Sequence, residues 1–192
     1  MPAKRPPVPL SRERIIDAAL HIADGQGLRR LTMRRLGDAL QVEAMAIYHH
    51  LPRGKDALMD ALAERVTAVE VDPGDGGWRE IATAWCRAGR EALRAHPGVL
   101  ALALTKPPKG RTAAAIHEQI DQLERAGLPD AAGAVRALRA YVFGSVAVEV
   151  QQSGWADPEA SVEPGPWPRA DERADAAFEH GLAALLDGLA AN

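Results

Sequence analysis

Between Thr32 and Lys55 the chain gathers Thr32, Arg34, Arg35, Tyr48, His49 and Lys55, a set suited to a polyanionic partner. A guanidinium can bond O6 and N7 of guanine together, and hydroxyl and ammonium groups can bond phosphate oxygens. Arg34 and Arg35 could also form no more than a solvated helix face. Other chemistries have less behind them. His49 and His50 are adjacent, and neighbouring helical positions point about 100° apart, too divergent to chelate one ion easily. His96 and His117 lie on different segments. No Ser/His/Asp spacing, nucleotide-binding glycine loop or HExxH is present. The single cysteine, Cys86, permits no internal disulfide, which fits a reducing compartment. Cys86 reads as a small helix-face residue, with a redox sensor as the alternative.

Those groups need elements to hold them. Thr32 can cap a helix by accepting a backbone N–H that its first turn leaves unpaired. Leu36, Ala39 and Leu40 then fall on one face. Gln41-Val42-Glu43 makes a turn, with Val42 expected to point inward. Gln41 is strained there if its φ is positive. Ala44 to His50 forms a second helix, too short to be stable alone. Its exposed face carries Ala44, Met45, Tyr48 and His49. Helix, turn and a short presented helix make a helix-turn-helix, whose second helix enters the DNA major groove.

The rest of the chain reads as all-α. Apolar residues make up 47% of the 192, much of them Ala and Leu, and no strand pattern or internal repeat is visible. No apolar run reaches the roughly 18 residues of a membrane span, and the N-terminus lacks the apolar stretch of a secretory signal, so a cytoplasmic protein is expected. Residues 1–10, Pro-rich with Lys4 and Arg5, read as a disordered arm that tracks phosphate or touches nothing. Residues 11–56 form the DNA-binding domain. Its first helix, Arg12 to Asp24, is capped by Ser11, buried through Ile15, Ala18, Ala19, Ile22 and Ala23, and stopped by Gly25 and Gly27. His21 within it reads as solvent-facing. A connecting helix opens at Arg53-Gly54-Lys55-Asp56 and reaches about Val71. Residues 57–77 serve as connecting helix and linker.

Residues 78–192 read as a second helical domain. Helices are expected over Trp78 to Ala95, a short apolar segment Val99 to Leu104, Arg111 to Arg125, Pro129 to Gln152, and Arg169 to Ala190. Ile116, Ile120 and Leu123 line the inside of the seventh. Val135, Leu138, Val142, Val146 and Val150 line the eighth, and Phe178, Leu182, Leu185, Leu186 and Leu189 the last. Ser153 to Pro168 reads as a long loop. Charge divides along the same boundary. Residues 1–56 carry ten Lys/Arg against six Asp/Glu, and residues 57–192 thirteen against twenty. A basic head on an acidic body suits a head that meets phosphate.

The segment from Leu31 to Leu62 resembles the DNA-binding region of the tetracycline-repressor (TetR) family. Leu31-Thr32-Met33-Arg34, Leu40-Gln41-Val42, Tyr48-His49-His50 and Lys55 carry the resemblance, with Gln41 where Gly is common. The second domain is similar to that of tetracycline repressors at Ala95-His96-Pro97-Gly98, Tyr141-Val142-Phe143-Gly144-Ser145-Val146 and Phe178-Glu179-His180-Gly181-Leu182. The resemblance implies that Thr32, Met33, Arg34, Arg35, Ala44, Met45, Tyr48, His49 and Lys55 meet DNA. Arg34 would contact bases, Thr32, Tyr48 and Lys55 phosphate, and Ala44 and Met45 would offer apolar contact such as to a thymine methyl. It implies a homodimer through the eighth and last helices, whose apolar sides would supply the surface, and a near-palindromic operator.

It also implies a small-molecule pocket, with candidate walls Met59, Leu62, Val66, Trp85, Leu100, Leu104, Thr105, Ile120, Tyr141 and Phe143, and polar candidates His117, Gln119 and Glu149. Each of these alone could be plain core. Tetracycline repressors hold a magnesium–drug chelate through a His in the sixth helix. The matching stretch here is Leu100-Ala101-Leu102-Ala103-Leu104, so the expected effector is largely apolar, with no metal and no cofactor. The leading expectation is a ligand-responsive transcriptional repressor, not an enzyme. The alternatives are an architectural DNA-binding protein without a ligand, or a small helical enzyme.

Overall fold

The computed structural model describes residues 9–72, 74, 76–152 and 172–190. Among them are nine α-helices and no strand. A head of α1 (Arg12–Gln26), α2 (Met33–Leu40) and α3 (Ala44–His50) is joined by α4 (Lys55–Thr67) to a body. The body comprises α5 (Trp78–Ala95), α6 (Leu100–Thr105), α7 (Gly110–Arg125), α8 (Ala131–Gln152) and α9 (Glu172–Ala190). Most of the expected N-terminal arm and the loop expected over Ser153 to Pro168 lie outside the described residues.

The head is built on α1. Ser11 caps it by accepting from the Arg14 N–H at 3.2 Å, and Gly27 ends it at φ 80°. Of the expected stripe Ile15, Ala19, Ile22 and Ala23 are buried and Ala18 half-buried, and Ile16 and Leu20 are buried as well, because α1 is covered by α2, by α4 and by a 3-10 turn at Pro97–Val99. His21 is exposed. Leu31, Leu36, Ile47 and Leu58 are fully buried and lock α2, α3 and α4 together. Ala39, expected on the inner face of α2, is exposed. The inward face instead runs over Leu36 and Gly37, where the turn crosses closely.

α4 stops at Thr67, short of the expected Val71. Ala68 leaves helical geometry at φ −84°, ψ 69°. β-branched Val66, Thr67, Val69 and Val71 crowd the run and disfavour helix. The Thr67 hydroxyl donates to the Ala63 carbonyl at 2.8 Å and lies 2.7 Å from the Thr112 hydroxyl of α7, fixing the helix end against the body.

α8 has the length and composition of a membrane-crossing helix, yet it is packed on α5, α7 and α9. Val135, Leu138, Val142 and Val146 of α8 and Phe178, Leu182 and Leu186 of α9 are buried inside the protomer. This corrects the expectation that these apolar sides form the dimer surface: they are already covered. The outward faces carry Ala140, Gly144 and Val148 on α8, and Ala176, Ala177, Ala183, Ala184 and Gly188 on α9. The inner side of α7 is also rotated from expectation. Thr112, Gln119 and Leu123 are buried, whereas Ile116 and Ile120 are only half-buried.

Candidate functional site

The turn between α2 and α3 sets the geometry of the exposed head. Thr32 caps α2 by accepting from the Arg35 N–H at 3.1 Å. Gln41 occupies the left-handed region at φ 57°, ψ 42°. Its N–H donates to the Asp38 carbonyl at 3.2 Å, and the Val42 N–H donates to the Gly37 carbonyl at 3.0 Å. A Cβ on Gly37 would lie 2.8 Å from the Val42 carbonyl oxygen, so the turn needs glycine there. Val42 is half-buried against the core. α3 buries Ile47 and presents Met45 at 68% exposure and Tyr48 at 39%, with His49 exposed beside them. Tyr48 packs its ring on Gly54, the left-handed residue that opens α4, which ties the presented helix to Lys55.

Thr32, Arg34, Arg35, Met45, Tyr48, His49 and Lys55 are therefore all exposed around α3, while Ala44 is half-exposed. Met33 is partly buried against the core. Among the described residues, no ion pair involves Arg34, Arg35 or Lys55. Their charge is available to an external anion.

The body encloses a small apolar cavity of about 50 Å³ between α4, α5, α7 and α8, walled chiefly by Val66, Trp85, Leu93, Leu138, Val142 and Phe143. Gln119 lines it, 8% exposed, with no protein partner for its amide among the described residues. A wider cleft of about 500 Å³ opens between the α3–α4 link and the segment before α7. Thr67 and Arg139 line both spaces. At the cleft, Asp60 accepts from Lys106 at 2.7 Å and from Arg53 at 3.2 Å. The Lys106 hydrogen bond in particular holds the Asp60 carboxyl below the usual range.

Residues 15–62 match the family described as bacterial regulatory proteins, tetR family, and residues 70–171 match the tetracyclin repressor-like C-terminal domain. The chain belongs to the tetracycline-repressor family. It is 37% identical over 197 residues to the class A tetracycline repressor of transposon 1721 from Escherichia coli, covering 92% of this chain and 88% of that protein. It is 33% identical over 157 residues to the transcriptional repressor DrrR1 of Streptomyces coeruleorubidus, covering 79% of this chain but 58% of that longer protein. A second curated relative is likewise spanned over only 61% of its length. Among solved structures, the TetR-family protein ActR of Streptomyces coelicolor, crystallised with actinorhodin, superposes with a TM-score of 0.75 at 27% identity over 96% of this chain and 98% of that one.

Several ligand candidates drawn from the TetR resemblance stand away from the cavity. Val66, Trp85, Gln119 and Phe143 line it. Leu62 and Leu100 are buried in the surrounding core without reaching it, and Met59 and Ile120 are half-buried beside that core. Leu104, at 52% exposure, Thr105 and His117 face solvent, because α6 is a single short helix pinned on one side only and His117 sits on the outer face of α7. Tyr141 instead joins α8 to α9, donating to the Phe178 carbonyl at 2.8 Å and stacking on its ring. Glu149 is held by Arg90 at 3.0 Å and Arg94 at 3.3 Å. Arg90 in turn contacts Asp175 at 2.7 Å and lies over the Phe178 ring. Cys86 is buried, and burial pushes its thiol up to about 12, which leaves it protonated and unreactive at neutral pH.

The sequence reading missed Arg139, Leu93 and Thr67 at the cavity, and it missed the seam between head and body. The Asp24 carboxylate at the end of α1 lies 2.8 Å from His96 Nδ1 and accepts from the Gly98 N–H at 3.1 Å. A Cβ on Gly98 would collide with the Ala23 carbonyl. The Ala95-His96-Pro97-Gly98 motif was the available signal: its glycine allows two backbones to touch.

Proposed function

We propose that the chain is a ligand-responsive transcriptional repressor that binds a near-palindromic operator as a homodimer and is released by a small molecule. The observation that carries this reading is the head: a short helix presents Met45, Tyr48 and His49 between unpaired cations at Arg34, Arg35 and Lys55. A major-groove helix needs groups for base edges flanked by groups for phosphate, and this face supplies both. Arg34 reads bases, while Thr32, Tyr48 and Lys55 hold phosphate. The small residues exposed along α8 and α9 let two subunits approach closely as a four-helix bundle, which spaces two reading helices about one DNA turn, roughly 34–36 Å, apart. Work on DNA implies a cytoplasmic setting.

The cavity beside α4 favours a sensor over a purely architectural protein. It places Val66 and Thr67 of α4 on the wall of a space that a ligand could enter, eleven and twelve positions from Lys55. An effector that binds better to a conformer with α4 displaced lowers DNA affinity by that difference in affinity. The test is selection of random duplex DNA by the purified protein at near-physiological salt. Enrichment of an inverted repeat supports the reading. Binding without any sequence preference, vanishing as salt rises, would refute it.

A further inference from the structure

The inner cavity and the outer cleft meet at one charged side chain. Arg139, on α8, lines both. It is half-buried, and no ion pair or hydrogen bond holds its guanidinium among the described residues. Among the described residues it lies over the face of Phe143, whose ring centroid is 5.4 Å away. Burial alone holds Arg139 below the ordinary arginine range, with no carboxylate offsetting it. A half-buried guanidinium without an anion is costly, and two other arginines of the body show the usual remedy. Arg87 is fitted to Glu179 and Arg90 to Glu149. Arg139 has no such carboxylate among the described residues.

The surroundings agree in sign. The cleft carries Arg12, Arg53, Lys106 and Lys109 besides Arg139, against Asp60 and Glu64. Asp60 is already engaged by Lys106 and Arg53, and Glu64 accepts from the Arg111 N–H at 2.6 Å. An approaching small molecule meets a mouth of positive charge. Inside, the walls are Trp85, Leu138, Val142 and Phe143. The inner space alone is well below the roughly 300 Å³ at which drug-sized pockets begin, whereas the cleft lies within that range. A ligand spanning the junction would put its apolar part inward and its polar part at Arg139.

We infer that the effector of this repressor is an aromatic organic acid, its ring system parting Trp85 and Phe143 to widen the inner space and its carboxylate paired with Arg139. This rests on the effector-sensing function proposed above and names the chemical class it would sense. A guanidinium fork matches a carboxylate with two parallel hydrogen bonds, which a neutral carboxamide does not reproduce.

The experiment uses the full chain with benzoate, naphthoate and anthroate, each beside its primary carboxamide. Two readouts are taken: the rise in melting temperature, and release of the operator obtained by selection. At least one carboxylate is expected to bind and release operator at least tenfold better than its carboxamide. Arg139→Met should abolish that preference while still binding operator, and Arg139→Lys should restore part of it. Equal action of acid and amide on the wild type overturns the inference, and so does a preference that survives in Arg139→Met. Failure of all six compounds also overturns it. Because operator binding is measured on the same preparation, such failures leave the regulator reading standing. If instead no operator is selected, that reading falls, and the melting shifts still decide the acid preference. Should Arg139→Met not fold, the wild-type comparison and Arg139→Lys decide alone.

Discussion

Replacing Gln41 by glycine should make the protein more stable. Gln41 holds φ 57° and ψ 42°, and it is the one non-glycine residue with positive φ among the described residues. A side chain in that conformation places its Cβ against the following carbonyl, at about 1–2 kcal/mol. Glycine removes the clash but adds backbone freedom to the unfolded chain, worth about 0.5–1 kcal/mol in the opposite direction. The difference favours Gln41→Gly by on the order of 0.5–1 kcal/mol. The Gln41 side chain is exposed and makes no recorded hydrogen bond, so little is lost with it. For a chain of this size the gain corresponds to about 1–4 °C in melting temperature. Urea and thermal unfolding of both proteins under one buffer would measure it. Operator affinity should stay unchanged, because the turn already has this geometry. An unchanged or lowered midpoint would refute the reasoning, since it would mean that the side chain makes contacts offsetting the conformational cost.

Gly98→Ala should destabilise by about 1–3 kcal/mol, the usual range for overpacking, because the added methyl meets the Ala23 carbonyl; a neutral unfolding midpoint would count against so close a contact. Arg34→Ala should weaken specific DNA binding by about 1–3 kcal/mol and relax preference at one operator position, and an unaltered preference would remove Arg34 from base reading. Lys55→Ala should weaken binding to all sequences alike and reduce the salt slope by about one unit; a loss confined to one operator would contradict a phosphate role. Stability should fall in acid. Lys106 holds Asp60 low, Arg90 holds Asp175 low and Arg87 holds Glu179 low. A depressed carboxylate contributes stability above its unfolded pKa and loses it as pH falls through the folded value, so the urea midpoint should hold down to about pH 5 and drop below about pH 4. A midpoint that is flat to lower pH would show these pairs to be energetically idle.

What could be read from the sequence, and what could not, follows from the range of the forces involved. Ser11, Thr32 and Gly27 act on neighbours three or four positions away, so their caps were legible. Helix spacing placed Trp78 to Ala95 without error, because Gly76-Gly77 and Pro97 punctuate it on both sides. The end of α4 was misjudged because Val66, Val69 and Val71 satisfy apolar spacing while their branched side chains oppose helix. The engagement of Tyr141 and Glu149 within the fold was illegible for a different reason. Their partners, Phe178 and Arg90, lie 37 and 59 positions away, and no local pattern reports such pairings. Nothing in the local sequence marks Arg139. Its distinction is partial burial without an ion pair among the described residues, which only the assembled fold can reveal.

The same geometry limits how an effector could reach the DNA face. α4 runs from Lys55 to Thr67, about 20 Å at 1.5 Å per residue, with Lys55 beside the reading helix and Val66 and Thr67 on the cavity wall. The head has a second attachment where Asp24 holds His96 and the Gly98 N–H. A ligand that moved both attachments together would carry the head along and change nothing in the spacing of two reading helices. Arg139 is on α8, which packs on α5, α7 and α9, whereas the seam lies where α1 meets the turn at Pro97–Val99. Under the proposed function, an effector at Arg139 would act on the Thr67 end of α4, and the head would turn about the Asp24 seam rather than shift with the body. Loosening the seam with Asp24→Asn should therefore reduce the release of operator at saturating effector more than it reduces effector binding. If binding and release fall together, the seam is only a structural contact.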